Sequence, residues 1–334
     1  MIRVSVIIVN YNGKGLTVGC LKVLERQTFR NFEVLVVDNA SSDDSLYEIQ
    51  RFLKEHSEGF QIKLIPLDNN TGFSGGNVVG LKHASGEHIA LLNNDTEPGE
   101  RWLEELVNAM DKAPEVGICA SKLIAYGTDI IDSAGDGFST SLKGFKRGEG
   151  ENLSLYEKQE YIFGACAGAA LYRRTMIEKI GFLDEDFFLI HEDTDLNLRA
   201  QIYGWKVLYV PKALVYHKVR STIGNMSKMA LYYTLRNSEF VRIKNIPASL
   251  FPRKAPELIL GTLAEIVYFG IRYHSPLLYL KAKMDVVKML PVMLKKRRAI
   301  MGSMQITNEE LLKIMTPVFE KKFLKNKIRK FIFG

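Results

Sequence analysis

The chain has 334 residues, of which 46% are hydrophobic, enough for one large catalytic domain with an extension. Its three cysteines, Cys20, Cys119 and Cys166, have no paired spacing, which excludes a disulfide framework and a cysteine zinc site. The net charge of +7 is unevenly distributed: residues 1–241 carry 26 Lys and Arg against 32 Asp and Glu, whereas residues 242–334 carry 19 against 6. Such a basic tail is typical of proteins that bind nucleic acid or an anionic membrane surface.

No targeting or membrane-spanning segment is predicted. The N-terminal apolar run, in MIRVSVIIVNYNG, is only about six residues long and alternates as a strand does. No small-residue cleavage site follows it, so we do not interpret it as a signal peptide. Residues 255–271 are the best candidate for a spanning helix, but they include Glu257 and Glu265.

The first hundred residues alternate between strand and helix patterns. Short β-branched runs predict strands at residues 4–9, 33–37, 63–66 and 88–92. Strands separated by helices favour a parallel sheet covered on both faces, in which ligands bind beyond the carboxyl ends of the strands. Polar segments that should form one rim there are residues 10–15, 38–45 and 93–97.

The middle of the chain follows a different pattern. Residues 132–161 are rich in Gly, Ser and charge, which is typical of a long loop or hairpin region. Residues 193–203 predict a helix that ends at Gly204, and residues 206–210 predict a strand that Pro211 halts.

Beyond residue 244 the pattern changes to amphipathic helices. They are predicted at residues 258–271, 277–294 and 309–333. Large apolar side chains alternate there with Lys and Arg, and residues 295–298 are four consecutive cations. Because an apolar helix face can enter a headgroup layer while cations meet lipid phosphate, we expect the tail, residues 246–334, to lie on an anionic membrane surface. Packing on the protein's own core is the alternative, and no nucleic acid partner is expected.

Acidic side chains follow two of the predicted strands. Asp38, in VVDNASSDDS, can accept a hydrogen bond from a base N–H such as a pyrimidine imide, and it can also cap the next helix. Asp95, in ALLNNDTEP, supplies the carboxylate that Mg²⁺ or Mn²⁺ needs beside diphosphate oxygens, and a neighbouring Asn can orient a ribose. A strand-end NND is also a common turn sequence, so neither segment is decisive alone.

A third acidic segment, HEDTDLNLRA, contains Glu192, Asp193 and Asp195, with Asp186 just upstream. Like charges at this density are costly unless a cation or a proton lies among them, and one carboxylate could act as a general base. The helix dipole alone accounts for one or two such acids. His217, in VYHKVRST, follows a predicted strand and could add a nitrogen ligand to a metal.

Residues 70–77, NTGFSGGN, offer flexible backbone that a ligand can approach closely. Neither this segment nor NYNGKG after the first strand contains G-x-G-x-x-G, which argues against a dinucleotide site.

Taken together, in their order and spacing, these segments resemble the family 2 glycosyltransferases, and within them the rhamnosyltransferase-like branch that builds bacterial surface polysaccharides. The matching segments are SVIIVNYNG, VVDNASSDDS, NTGFSGGN, LLNNDTEP, GACAGAALYRR, IGFLDEDFFLIHEDTDLNLRAQIYGW, VYH and YYTLRN. The resemblance covers residues 2–245 and does not extend with any precision to the basic tail.

The resemblance implies a GT-A fold, an α/β domain with a mixed, mostly parallel sheet flanked by helices, here followed by a C-terminal amphipathic helical extension. It places the catalytic domain at residues 1–245. The nucleotide-sugar half would cover about 1–130 and the acceptor half about 131–245, with the tail at 246–334.

The resemblance also implies roles for single residues. Asp38 would contact the base. Asp95 would end the D-x-D motif and, with His217, bind Mg²⁺ or Mn²⁺. Asp193 would be the catalytic base, with Glu192 beside it. The nucleotide-sugar-binding residues expected are Asn10, Asn12, Asp38, Asn70, Gly72, Gly76, Asn77, Asn93 in place of the first Asp of the motif, Asn94 and Asp95. The sugar or acceptor contacts expected are Gly164, Ala165, Cys166 and Trp205.

The function implied is inverting transfer of a sugar from dTDP-rhamnose or a UDP-sugar to a hydroxyl of a lipid-linked surface glycan. The Q-x-x-R-W motif of processive members is absent, since residues 199–205 read RAQIYGW, so we expect one sugar to be added at a time. The protein would work as a cytoplasmic, peripheral enzyme on the inner face of the cell membrane.

Two other classes remain as alternatives. A nucleotidyltransferase or other nucleotide-binding transferase would need a cationic glycine-rich phosphate loop, and NYNGKG supplies only Lys14. A non-catalytic membrane scaffold would have no reason to group Glu192, Asp193 and Asp195 with Asp95.

Overall fold

The computed structural model describes residues 2–55, 60–218, 227–321 and 323, and of residues 270–273 the backbone alone. Ten strands of that part of the chain form one sheet, and two more form a hairpin. The strands are β1 (Val4–Asn10), β2 (Phe32–Asp38), β3 (Gln61–Pro66), β4 (His88–Leu92), β5 (Thr96–Pro98), β6 (Val116–Ala125), β7 (Ile131–Ser133), β8 (Asp136–Phe138), β9 (Gly144–Lys146), β10 (Glu160–Ile162), β11 (Ala169–Arg173) and β12 (Lys206–His217). The helices are α1 (Leu16–Leu24), α2 (Ser45–Glu55), α3 (Gly72–His83), α4 (Trp102–Asp111), α5 (Arg174–Ile180), α6 (Glu192–Ile202), α7 (Lys228–Asn245), α8 (Leu250–Arg253), α9 (Ala255–Tyr273), α10 (Pro276–Gly302) and α11 (Asn308–Lys313), with a 3₁₀ turn at Glu185–Phe187.

Four parallel strands form the N-terminal part of the sheet, in the order β4-β1-β2-β3. β1, β2 and β4 are buried along nearly their whole length, as runs of Val, Ile and Leu require in a sheet covered on both faces. In register, Asn10 at the end of β1 lies opposite Asp38 at the end of β2. The four strands predicted from the sequence are confirmed, and their carboxyl ends share one edge.

The sheet becomes mixed at β11, which lies between β4 and β6 and is antiparallel to both. β12 then continues the sheet parallel to β6. Ala169, the first residue of β11, pairs with Leu92, the last residue of β4. Residues 164–168 therefore run beside the residues that follow β4. The expected α/β fold with a mixed, mostly parallel sheet is confirmed.

The end predicted for the strand at residues 206–210 is wrong, because β12 continues past Pro211 to His217. The pairing of β12 with β6 shifts register between Val210 and Leu214. Pro211 lies within this irregularity, where a residue without an N–H is tolerated. The longer strand delivers His217 to the site edge.

The flexible backbone predicted for residues 70–77 is also corrected, because α3 begins at Gly72. Two glycines of this helix serve close packing on β1. A Cβ on Gly76 would lie 2.8 Å from Val9, and a Cβ on Gly80 would collide with Ile7. These glycines let the helix approach the sheet closely. In the sequence, a helix with several glycines looks like a flexible loop.

The C-terminal helices share a core with the rest of the chain. One buried apolar cluster combines Phe138, Phe163, Phe187 and Leu198 with Leu250, Val286, Met293 and Leu311. One face of the tail therefore packs on the protein's own core, which was the alternative to membrane binding. None of the helices that the structure describes is both long enough and apolar enough to cross a membrane.

The helix predicted at residues 309–333 is interrupted, since α11 ends at Lys313 and, in the described part of the chain, helical residues reappear only at 321 and 323. Thr316 instead pairs with residues of the β8–β9 hairpin, donating its N–H to Phe138 and accepting from the N–H of Thr140. Pro317 also disfavours helix at the residue before it. Of the predicted helix, residues 322 and 324–333 lie outside the described residues.

Candidate active site

The carboxyl ends of β1 and β2 meet in a hydrogen-bonded pair. Asn10 Nδ2 donates to Asp38 Oδ1 at 2.7 Å, and Ser41 donates to Asp38 from its hydroxyl at 2.7 Å and from its N–H at 3.2 Å. Thr17 and Asn94 donate to Asn10 Oδ1 at 2.7 and 3.1 Å. These contacts hold the buried Asp38 carboxylate at the edge of the sheet.

Asn12 links the loops after β1 and β2. Its N–H donates to Ser41 Oγ at 2.9 Å, and its Oδ1 accepts from the Ser42 N–H at 2.8 Å. The φ of Asn12 is 50°, in the left-handed region that asparagine tolerates better than most residues. Its side chain is exposed at the same edge as Asp38.

Asn39, which the sequence analysis missed, organises the next loop. Its Nδ2 donates to Asn70 Oδ1 at 3.0 Å and to the Gly72 carbonyl at 2.9 Å. Its Oδ1 accepts from the N–H and hydroxyl of Thr71 at 2.9 and 3.0 Å. Its position directly after Asp38, at a strand end, is the sequence feature that could have identified it. The buried side-chain amide of Asn39 therefore fixes Asn70 and Gly72 next to Asp38, at the same edge of the sheet.

The pairing of β5 with β12 places His217 opposite Thr96 and next to Asp95. His217 Nε2 lies 3.3 Å from Asp95 Oδ1, and His217 Nδ1 lies 2.9 Å from Asp132 Oδ2. Lys146 Nζ donates to both Asp132 oxygens, at 2.8 and 3.0 Å. This chain of contacts aims one imidazole nitrogen at Asp95.

The charges in this chain of contacts are strongly coupled. Burial alone would lower the pKa of His217, but Asp132 and Asp95 outweigh it and raise that pKa to about 9. Burial also opposes ionisation of Asp132, yet the hydrogen bond from His217 and the charge of Lys146 hold the pKa of its carboxyl well below the usual range. Asp132 and Lys146 therefore remain a charged pair behind the imidazole.

Asp95 and His217 have the chemistry to hold a divalent cation. Asp95 Oδ1 is buried and, in the described structure, faces His217 Nε2 at 3.3 Å without a well-formed hydrogen bond, so a cation bound between them would replace the imidazole proton and satisfy both atoms. Among the described residues, no group of three or more His, Cys, Asp or Glu side chains could hold a metal. A cation at this pair would take its other ligands from phosphate oxygens and water, as Mg²⁺ and Mn²⁺ commonly do.

Residues 164–168 connect Asp193 with the residues after β4. The Ala167 N–H donates to Asp193 Oδ2 at 3.4 Å. The carbonyl of Gly168 accepts from the Asn93 N–H at 2.8 Å. Asp193, on the first turn of α6, thus lies next to the strand end that carries Asn93.

Gly164 and Ala165 are held between α6 and β8. The Asn197 side chain exchanges two hydrogen bonds with the Ala165 backbone, at 3.1 and 2.9 Å, and a Cβ on Gly164 would collide with it. The backbones of Asp136 and Gly164 exchange two hydrogen bonds, at 2.7 and 3.2 Å. Cys166 follows as a half-buried side chain. The small residues permit this close approach between helix and hairpin.

The three acidic side chains at the start of α6 have different surroundings. Asp195 is fully buried and forms ion pairs with Arg199 at 2.8 Å and Lys244 at 2.9 Å. Glu192 is also buried, and its Oε2 has no hydrogen-bond partner among the residues that the structure describes. Burial, with the charge of Asp193, raises the pKa of Glu192 well above its usual range. Asp193 is the half-buried member that reaches residues 164–168.

Asp136 adds a carboxyl that the sequence analysis missed, because residues 132–161 were predicted only as a loop or hairpin region. It begins β8 and faces the same acidic environment. Burial, with the charge of Asp193, raises the pKa of Asp136 well above its usual range. Asp136 and Glu192 therefore stand beside Asp193 as carboxyls that favour the neutral form.

Three further predicted positions make helix or packing contacts. Asn77 donates to the carbonyl of Phe73 within α3, and Gly76 packs against β1. Trp205 follows the far end of α6 from Asp193, roughly 15 Å away by helix rise. The structure therefore does not bring Trp205 to the base, and this partly buried side chain packs against the apolar cluster that includes α5.

The family model of glycosyl transferase family 2 matches residues 5–181, which span β1 to the end of α5. The chain belongs to this family. It is therefore a glycosyltransferase that acts on nucleotide-sugars in glycan biosynthesis, which replaces the nucleotidyltransferase and scaffold alternatives.

Two curated relatives align over most of the chain. The amylovoran biosynthesis glycosyltransferase AmsB of Erwinia amylovora is 25% identical over 234 residues, covering 68% of this chain and 73% of that protein. The GalNAc(5)-diNAcBac-PP-undecaprenol beta-1,3-glucosyltransferase of Campylobacter jejuni is 26% identical over 223 residues, covering 66% of this chain and 65% of that protein.

Solved structures show the same fold. GalNAc-T7, crystallised with UDP, GalNAc and Mn²⁺, superposes with a TM-score of 0.59 at 18% identity, over 72% of this chain and 48% of that one. The fold of this chain is thus of the GT-A type.

Proposed function

We propose that the protein is an inverting, metal-dependent glycosyltransferase that adds one sugar at a time to a surface glycan. The observation that carries the proposal is the bridge of residues 164–168. It joins Asp193, the acceptor-side carboxylate, to Asn93 at the strand end that leads to Asp95. A donor bound along Asp38 and Asp95 would then present its sugar near Asp193.

Asp38 suits a pyrimidine base. Its Oδ1 accepts from Asn10 and Ser41, whereas its Oδ2 accepts only the longer bond from the Ser41 N–H in the described structure. Oδ2 therefore retains capacity for a base N–H. We propose dTDP-rhamnose as the first donor to test and UDP-sugars as the second. UDP in the GalNAc-T7 crystal supports the pyrimidine class.

Asp95 and His217 would hold Mg²⁺ or Mn²⁺. Such a cation, when bound, stabilises negative charge on the diphosphate leaving group. Mn²⁺ in the GalNAc-T7 crystal supports this choice. Asp132 fixes the imidazole through Nδ1, which leaves Nε2 directed at Asp95.

Asp193 would take the proton of the acceptor hydroxyl as that oxygen attacks the anomeric carbon from the face opposite the leaving group. A general base needs to hold the hydroxyl within hydrogen-bond reach. Asp193 is half-buried and reaches residues 164–168, whereas burial and the neighbouring acids raise the pKa of Glu192 and of Asp136 beside it, which makes those two carboxyls poorer candidates for the base.

The acceptor is proposed to be lipid-linked and reached at the inner face of the cell membrane. Many large apolar side chains of α9 and α10 are exposed, and we call nine of them the apolar face. It consists of Ile259, Leu260, Leu263, Ile266, Val267, Leu277, Leu280, Met284 and Val287. Three exposed lysines recur every seven residues along α10, at 281, 288 and 295.

This combination suits an anionic lipid surface, because apolar side chains enter the headgroup layer while lysines meet phosphate. The name of the Campylobacter relative includes an undecaprenol diphosphate, which supports a lipid-linked acceptor. The C-terminal residues from 324, which include four Lys and Arg, lie outside the described residues.

A donor screen tests the proposal. Release of nucleoside diphosphate is measured for about ten sugar nucleotides, each with Mn²⁺ or with EDTA and with a polyprenyl-diphosphate-linked acceptor. We expect one pyrimidine donor to be consumed only with metal, with inversion at the anomeric carbon by NMR. Retention, or equal turnover in EDTA, would contradict the proposal. Asp95→Ala should abolish the metal-dependent part of donor binding.

A further inference from the structure

The loop at residues 186–191 leads directly into α6 and has an unusual backbone. Phe188, Ile190 and His191 all have positive φ, at 65°, 66° and 70°. L-residues rarely adopt this region, and a β-branched residue such as Ile190 does so least readily. Since Asp193 is only two residues beyond His191, the strained loop sets where its carboxylate lies.

Two residues of α7 hold this loop through its carbonyls. Asn237 Nδ2 donates to the carbonyls of Phe187, Leu189 and Ile190 at 2.9, 2.8 and 2.7 Å, and Asn237 is fully buried. Arg236 completes the arrangement. Its guanidinium donates to the Phe187 carbonyl at 3.0 Å and to Asn237 Oδ1 at 2.8 Å.

Arg236 also reaches one residue further back, to the Asp186 carbonyl at 2.7 Å. The four carbonyls that Arg236 and Asn237 engage therefore cover nearly the whole loop. None of these contacts involves a side chain of the loop. Arg236 and Asn237 therefore hold the loop through its backbone, whose strained conformation would otherwise relax.

The opposite side of the loop contacts the nucleotide-sugar half. The Ser74 N–H donates to the Phe188 carbonyl at 3.0 Å, and a Cβ on Gly72 would collide with that carbonyl. The Phe188 ring stacks on Tyr233 of α7, with centroids 5.2 Å apart. The loop is therefore fixed between α3 and α7 and has little room to adopt another path.

We propose that Arg236 and Asn237 are positioning residues for the base Asp193. The inference rests on the proposed function, in which Asp193 takes the acceptor proton. Asn237 and Arg236 hold a backbone that the residues of the loop would not adopt by themselves, and α6 starts where that backbone ends. Small displacements of a catalytic group cost large factors in rate. Loss of the hydrogen bonds from Arg236 and Asn237 to the loop should therefore reduce turnover far more than donor binding.

The first test is Asn237→Ala in the full-length chain, assayed with the donor found in the screen. We expect kcat to fall roughly 100-fold while donor KM and donor dissociation constant stay within about threefold. Thr234→Ala is the matched control on α7, because Thr234 donates only to the Ala230 carbonyl of its own helix in the described structure. It should keep wild-type kcat. A folded Asn237→Ala protein with wild-type kcat would overturn the proposal.

Asn237→Ala could lower stability enough to prevent folding, so Arg236→Lys is the second variant. It keeps the charge but loses the forked donors to the Asp186 and Phe187 carbonyls. We expect about a tenfold lower kcat with unchanged donor affinity. Wild-type kcat in the folded Arg236→Lys protein would overturn the proposal on its own.

A double-mutant cycle with Ile190→Gly separates positioning from general destabilisation. Glycine adopts positive φ without strain, so the loop should then depend less on Asn237. We expect Asn237→Ala to cost at least tenfold less kcat in the Ile190→Gly background, measured below the melting temperature of each protein. An equal loss of kcat on Asn237→Ala in both backgrounds would contradict the positioning role. A wild-type protein that consumes no sugar nucleotide would instead remove the proposed function.

Discussion

His217 Nε2 lies 3.3 Å from Asp95 Oδ1, although the two residues are 122 positions apart in the chain. The contact exists because β12 continues through Pro211 and pairs with β5. Asp132 fixes the other imidazole nitrogen. Three separate segments therefore build the proposed metal-binding pair.

His217→Ala should weaken Mn²⁺ binding by 10- to 100-fold, because it removes a nitrogen ligand from the pair. Isothermal titration with Mn²⁺ plus nucleoside diphosphate measures the affinity directly. His83→Ala, which removes an exposed histidine of α3, is the control and should bind Mn²⁺ as the wild type does. Equal affinity of the His217→Ala and His83→Ala proteins would exclude His217 as a ligand.

Asp193→Asn should reduce transfer by at least 10³-fold and leave donor binding nearly intact, because an amide cannot accept the acceptor proton. Asp195→Asn is the matched comparison on the same helix. It removes a buried charge that faces Arg199 and Lys244, so it should destabilise the fold by about 3–5 kcal/mol. Turnover assays and urea unfolding separate the two effects. Substantial transfer by Asp193→Asn would rule out the base assignment.

The ion pairs of Asp184 should make stability depend on pH in the acid range. Burial raises the pKa of this carboxyl, but Lys244 and Lys296 outweigh it and lower the pKa from 3.8 to about 2. The stabilisation, about 2 kcal/mol, is therefore complete above about pH 5 and is lost as the pH falls through 4 towards 2.

Urea unfolding of the wild type and Asp184→Asn at pH 7 and pH 2.5 tests this sign. We expect the difference in the free energy of unfolding to be largest at pH 7 and to shrink at pH 2.5. A difference that grows on acidification would contradict the assignment.

The apolar face should be needed for lipid binding but not for folding. Leu263→Ser combined with Val287→Ser removes two of its side chains, which are 55% and 69% exposed. We expect at least fivefold weaker sedimentation with vesicles containing anionic lipid, because about 25 cal/mol per Å² of inserted apolar area is lost. Leu155→Ser, 47% exposed in the β9–β10 connection, is the control and should sediment like the wild type. Sedimentation of the double variant at wild-type level would exclude this face as the lipid contact.

Local patterns predicted the strands and the polar edge because both depend on short-range chemistry. Runs of Val and Ile identified β1 and β2, and the last residues of these strands, Asn10 and Asp38, meet at the predicted edge. The resemblance, not the pattern, supplied the pairing of Asp95 with His217.

What the sequence did not predict depends on contacts between distant segments. Asp136 lies beside Asp193 only because the β8–β9 hairpin packs on α6, and Asn237 meets residues 186–191 only because α7 lies against them. The clustered acids also looked alike in the sequence. Tertiary packing alone gives Asp195 two buried cations and leaves Asp193 directed at the site.

The position of β11 has a consequence for how the protein can be divided. The strands that pair with β6 in the described chain are β7, β11 and β12, all of which follow it in sequence. A fragment ending at residue 130 would therefore keep β6 but none of its neighbours, and it would expose the flank of β4 that β11 covers. We therefore expect that residues 1–130 alone do not fold as an autonomous module.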